Sequence, residues 1–218
     1  KDDVFTVKYS GLLNYFHNKY GDDTVLVDSS KNSYPYLKYL KDRYDLNVIF
    51  LSRDVRSWSY SRFSRTKKPL FYYAFRWYAE NKKLLHRLKK MNVPVNKTGY
   101  EEFALYPEFT LKKICSFIGV EYEKNMLFPY KTKSHIINGN IARTDPLKKE
   151  SIKYDAKWLL SRRLHFLSPI FFLMNSYNKK LVYSNTNRGK TKAFGKKTQD
   201  FYLFGDKRKE EHIKKFDS

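Results

Sequence analysis

Two short apolar runs separated by a long insertion constrain this chain most. "LNVIFLS", residues 46–52, and "VPVNKTGY", residues 93–100, have the β-branched and aliphatic character of strands. Everything from Arg53 to Asn92 lies between them. A hairpin needs only a few linking residues. A connection this long, carrying a helical pattern, is a crossover between parallel strands. An earlier run, "TVLVD", residues 24–28, is expected to be a further buried strand of that sheet. The near-continuous apolar character of 46–52 predicts a sheet covered on both faces.

Helical patterns fill the gaps. Residues 12–21 read as a short helix through Leu12, Tyr15 and Phe16, and "PYLKYLKDRY" as a second. Residues 70–91 carry a long apolar stripe of Phe71, Ala74, Phe75, Tyr78, Leu85 and Leu88. "PEFTLKKICSFIGV" is amphipathic, with Pro107 suited to a first helical turn and Gly119 to a stop. Residues 121–150 look irregular, and 155–178 look helical around Trp158. The alternation gives an α/β class with a central parallel sheet. The expected domain is 1–178. Residues 179–218 are basic and poor in aliphatic side chains, and are expected to be an extension, partly ordered at best.

Composition narrows the partners. The chain has 44 Lys and Arg against 22 Asp and Glu, a net charge of +22. Such a surplus favours polyanions: nucleic acid, an anionic membrane or a phosphorylated small molecule. The lone Cys115 forms no internal disulfide and is expected in the core; a reducing, cytoplasmic compartment is compatible with it and not fixed by it. "HFLSPIFFLMNSY" is too short to span a membrane, so no transmembrane segment is expected. The five His and one Cys show no metal-ligand spacing. "SNTNRGKT", residues 184–191, imitates a phosphate loop but has Ser184 where that loop needs glycine. Asn96 heads a glycosylation sequon within an expected buried strand. The aromatic group Trp58, Tyr60, Phe63, Tyr72, Tyr73 and Trp77 reads first as packing, and second as a wall for an acceptor.

In open parallel sheets, ligands bind beyond the carboxyl ends of the strands. The first such end carries Asp28, Ser29, Ser30 and Lys31; the next carries Arg53, Asp54, Arg56 and Ser61. A helix starting near Asp54 would offer free backbone N–H groups to an anion. An arginine fork and a serine hydroxyl suit a phosphate. The competing reading pairs Arg53 with Asp54, or has it cap the sheet.

"VIFLSRDVRSWSYSRF", residues 48–63, resembles the 3′-phosphate-binding segment of sulfotransferases that use 3′-phosphoadenosine 5′-phosphosulfate (PAPS). That pattern is an apolar strand, Arg-Asp-Pro-Arg, and a Ser eight residues after the first Arg. Arg53 and Ser61 have that spacing, with Val55 in place of the proline. "LVDSSK", "TGYEEFALYPEFTLKKICSFIGVEY", "HIINGNIART" and "YDAKWLL" resemble further segments of this family, in the same order.

The resemblance implies a P-loop-NTPase-like three-layer sandwich. It implies sulfonate transfer from PAPS, without a metal, to a small-molecule or carbohydrate hydroxyl or amine. Arg53 and Ser61 would hold the 3′-phosphate. Tyr100 would lie near the adenine, and Gly139, Asn140 and Arg143 would close over the nucleotide. Lys31 would face the transferring sulfonate. The family's Gly-, Ser- and Thr-rich 5′-phosphosulfate loop has no counterpart before Asp28. The domain is therefore expected to be N-terminally truncated, with weak or no turnover. No nucleic acid is expected as partner on this reading. The alternative is a basic nucleic-acid-binding protein.

Overall fold

The computed structural model describes residues 2–29, 34–66, 68–128, 158, 161, 164 and 168–183. It is mixed α/β and mostly helical, with one two-stranded parallel sheet among the described residues. The order is α1 (Asp2–Tyr20), α2 (Tyr34–Leu40), β1 (Val48–Ser52), α3 (Val55–Thr66), α4 (Leu70–Lys90) and β2 (Val95–Gly99). Then come α5 (Tyr100–Leu105), α6 (Pro107–Ile118), a 3₁₀ turn (Lys124–Leu127) and α7 (Ser168–Val182). The chain divides into two compact units, Lys1–Val48 with Leu85–Pro94, and Ile49–Leu84 with Val95–Ser218.

In the first unit α1 is longer than its apolar spacing implied, starting at Asp2 rather than near Leu12. Residues 24–29 are neither strand nor helix, which corrects the expected strand at 24–28. Val25 and Val27 are 47% and 70% exposed. A β-branched run becomes a strand only where a neighbour completes its hydrogen bonds, and none pairs with it among the described residues. The segment is tied instead by its end, where the Tyr9 hydroxyl donates to Asp28 Oδ2 at 2.5 Å. Leu40 and Leu88 are buried, and the Arg87 guanidinium lies 5.2 Å from the Tyr34 ring centre. Asn92, in the left-handed region at φ 54°, follows α4. Asparagine tolerates that conformation better than other residues with a side chain.

In the second unit β1 alternates: Phe50 and Ser52 are buried, while Ile49 and Leu51 are exposed. This corrects the expectation of a strand covered on both faces. The covered face meets α7, where Ser52 Oγ lies 3.5 Å from the Leu181 carbonyl oxygen it donates to. Helix α6 starts with Pro107 in its first turn and ends at Gly119, in the left-handed region at φ 75°. Both match the punctuation read from the sequence. Cys115 is buried on α6, its Sγ 3.7 Å from Met126 Sδ. Helix α7 runs past residue 178 to Val182, and Leu181 and Val182 are core residues. The helix therefore continues across residue 178.

The parallel pair brings two carboxyl ends side by side. Ser52 leads into Arg53 and Asp54, then α3; Gly99 leads straight into Tyr100 and α5. Gly99 is required there by contact rather than by backbone angle. A Cβ on it would lie 1.7 Å from the Val182 carbonyl oxygen.

Candidate anion-binding site

The loop between β1 and α3 is built around a buried carboxylate. Asp54 is fully buried. Its Oδ1 accepts from Arg56 N and Nε, both at 2.9 Å, and its Oδ2 from Arg56 Nη2 at 2.7 Å. Asn178 Nδ2 at 2.8 Å and the Tyr183 hydroxyl at 3.0 Å also donate to Oδ2. Burial opposes ionisation of Asp54, but the Arg56 charge and these hydrogen bonds outweigh it. They hold the carboxyl below the usual carboxylate range.

The same network answers the start of α3. Asp54 N donates to Glu101 Oε2 at 2.8 Å and Val55 N to Asn178 Oδ1 at 2.9 Å, while Arg56 N is held by Asp54. The helix N-terminus was expected to offer free amides to an anion. These three are already bonded within the protein, which corrects that expectation. An anion here cannot use those three amides.

Arg53 is the side chain placed to meet one. It stands at the carboxyl end of β1, with its carbonyl accepting from Trp77 Nε1 at 2.9 Å. Its Nη2 donates to Ser57 Oγ at 2.6 Å, and its guanidinium lies 4.8 Å from the Tyr100 ring centre. The Arg53 side chain keeps 30% of its surface exposed. The competing reading, an Arg53–Asp54 pair, fails because Asp54 is taken by Arg56. The carboxylate beside Arg53 is Glu101, with Oε1 4.0 Å from Nε. Arg56 belongs to the scaffold instead, its guanidinium 4.9 Å from the ring centre of buried Trp158.

Ser61 lies on α3, part-exposed, one turn beyond Ser57. Positions 57 and 61 share a helix face. Arg53, Ser57 and Ser61 thus form one line leading from the strand end, with Tyr100 beside its origin. Lys31, Gly139, Asn140 and Arg143, like the phosphate-loop imitation at 184–191, lie outside the described residues. Among the aromatic group, Tyr73 and Trp77 are buried and Tyr72 is exposed. Trp58 meets Tyr73 edge-on at 6.0 Å. In the sequon Asn96 is half-buried, Lys97 exposed and Thr98 buried, so β2 is only partly covered. Among the described residues no group of His, Cys, Asp and Glu could hold a metal ion.

Glu101 is the electrostatic counterpart of Asp54. Burial, reinforced by the Asp54 charge, pushes its carboxyl up to about 7. The Asp54 N–H bond to Oε2 and the Arg53 charge pull the other way without outweighing burial, and Oε1 has no hydrogen-bond partner. The ordinary value is 4.5, so between about 4.5 and 7 the folded state holds a proton that the unfolded chain releases. The contribution of Glu101 is then fully present below 4.5 and is lost as pH rises through 7. Glu101→Gln keeps an acceptor for Asp54 N and removes the titration. Its stability relative to the native protein should therefore rise by roughly 1–3 kcal/mol between about pH 5 and about pH 8. Urea denaturation at both pH values measures this, and an unchanged difference would contradict the assignment.

No protein-family model matches the chain, and neither a curated protein nor a solved structure shows significant similarity to it. The class that stands on the fold is a mostly helical α/β protein with a parallel strand pair.

Proposed function

We propose that this chain is a sulfotransferase-like domain that binds PAPS, the sulfonate donor for a hydroxyl or amine acceptor. The observation that carries the reading is Arg53, part-exposed at the carboxyl end of β1 and stacked on Tyr100 at the neighbouring end of β2. A guanidinium beside an aromatic ring suits a purine nucleotide that carries a phosphate near its base. Ser61 supplies a hydroxyl further along the same helix face. The 3′-phosphate would lie against Arg53 and Ser61, and the adenine beside Tyr100. Ser57, bonded to Arg53, holds the guanidinium in place.

Lys31, Gly139, Asn140 and Arg143 belong to the same proposal, on the transferring sulfonate and over the nucleotide. So does the finer architecture, a P-loop-like three-layer sandwich, supported by the long helical crossover between parallel β1 and β2. PAPS supplies the sulfonate, and the described residues bind and orient its nucleotide end.

A charge-assisted hydrogen bond contributes about 1.5–3 kcal/mol. Arg53→Ala should therefore weaken binding of 3′,5′-ADP, the product nucleotide, at least about tenfold, and Ser61→Ala by a smaller factor. Titration calorimetry on proteins with matching circular dichroism tests both. Unchanged affinity in Arg53→Ala would remove the site assignment.

A further inference from the structure

We propose that the outward face of α7 docks on an anionic lipid surface. The proposal is independent of nucleotide binding. The helix is sharply two-sided. Phe171, Met174, Asn178, Leu181 and Val182 are buried. Pro169, Phe172, Leu173, Ser176, Lys179 and Lys180 are exposed. At 100° per residue the exposed set falls within an arc of about 120°, opposite the buried set. Phe172 and Leu173 are 74% and 77% exposed. A single exposed leucine requires no explanation. Two adjacent large apolar side chains, each about three-quarters in water and sharing a face with two lysines, form an amphipathic surface.

The order along that face matters. The apolar pair occupies the N-terminal half and the lysines the last turn, roughly 10 Å apart at 1.5 Å per residue. Phe172 and Leu173 would enter the boundary between headgroups and acyl chains, and Lys179 and Lys180 would lay their stems along it with ammonium groups among the phosphates. The sequence continues in the same sense: Arg188, Lys190, Lys192, Lys196 and Lys197 follow before the next carboxylate, Asp200. An apolar pair and two lysines on one helix face supply the apolar and the electrostatic signal that membrane attachment needs.

Lipid fits better than the other polyanions. Nucleic-acid phosphates are met by charged and hydrogen-bonding groups and bases by planar ones, whereas Leu173, 77% exposed, offers neither. No described helix is long and apolar enough to cross a membrane, so α7 would lie in the interface plane.

The test is cosedimentation of the full chain with phosphatidylcholine vesicles, with and without about 30 mol% phosphatidylserine. Binding is expected only to the anionic vesicles. A Phe172→Ser, Leu173→Ser double variant should lower the partition coefficient at least about tenfold, and Lys179→Glu, Lys180→Glu should do so most strongly at low salt. Both variants change exposed side chains, so their thermal midpoints should match the native protein. The proposal is overturned if the native chain ignores anionic vesicles, or if the serine variant binds them equally. It is also overturned if the serine substitutions abolish binding to duplex or single-stranded nucleic acid, or dissolve a dimer seen by sedimentation equilibrium. Those results would give the face to nucleic acid or to a second copy of this chain.

Discussion

Asp54→Ala should destabilise the protein by about 3–5 kcal/mol, the range expected when one member of a buried charged network is removed. The carboxylate has no exposed surface and accepts from Arg56, Asn178 and Tyr183. Alanine would leave the Arg56 charge facing a cavity and strand the Asn178 amide, whose oxygen also holds the first amide of α3. The turn at 54–56 and the segment at 178–183, distant in sequence, would lose their shared partner together. Asp54→Asn should fall between the native protein and Asp54→Ala, because it keeps the shape but sets a neutral amide against the guanidinium. Urea denaturation with an unchanged slope measures the loss. A loss below about 1 kcal/mol in Asp54→Ala would show that the network is replaceable by water.

Gly99→Ala should be about as damaging. Its Cβ would stand 1.7 Å from the Val182 carbonyl oxygen and 2.5 Å from its carbonyl carbon. The obstacle is backbone, so no rotamer change relieves it. Either β2 or the end of α7 must move. Overpacking a core typically costs about 1–3 kcal/mol, and a clash with main chain belongs at or above the top of that range. Because α7 also carries Asn178, the shift should reach the Asp54 network. The double variant Gly99→Ala, Asp54→Ala should then lose less stability than the sum of the two single losses, readable in a double-mutant cycle. Full additivity would mean that α7 yields without disturbing Asn178.

The sequence made the scaffold of the site legible and left its wiring hidden, for physical reasons. Strand-to-helix alternation, the long crossover and the ends of α6 are local signals: spacing, a proline, a glycine. They placed Arg53 at a strand end and Ser61 two turns into a helix. Ser57 was also within reach, since it follows Arg53 by four residues on the line to Ser61. Glu101 and Asn178 were not. Each answers a backbone amide of the 53–56 loop from far along the chain, and nothing around them marks that partner. The free helix N-terminus was misread for the same cause: a local pattern shows that a helix begins, not that other elements have already satisfied its amides. The run at 24–28 failed in the complementary way. Its residues favour a strand, but a strand is a relation between segments, and no described segment pairs with this one.

One arrangement at the loop has a practical consequence. The chain contains three tryptophans. Trp58 lies on α3, Trp77 donates its indole N–H to the Arg53 carbonyl, and Trp158 lies against the Arg56 guanidinium. All three indoles therefore sit around one short stretch of main chain. The intrinsic fluorescence of the whole molecule is a local probe, one that reports the electrostatic surroundings of residues 53–58 without any added label.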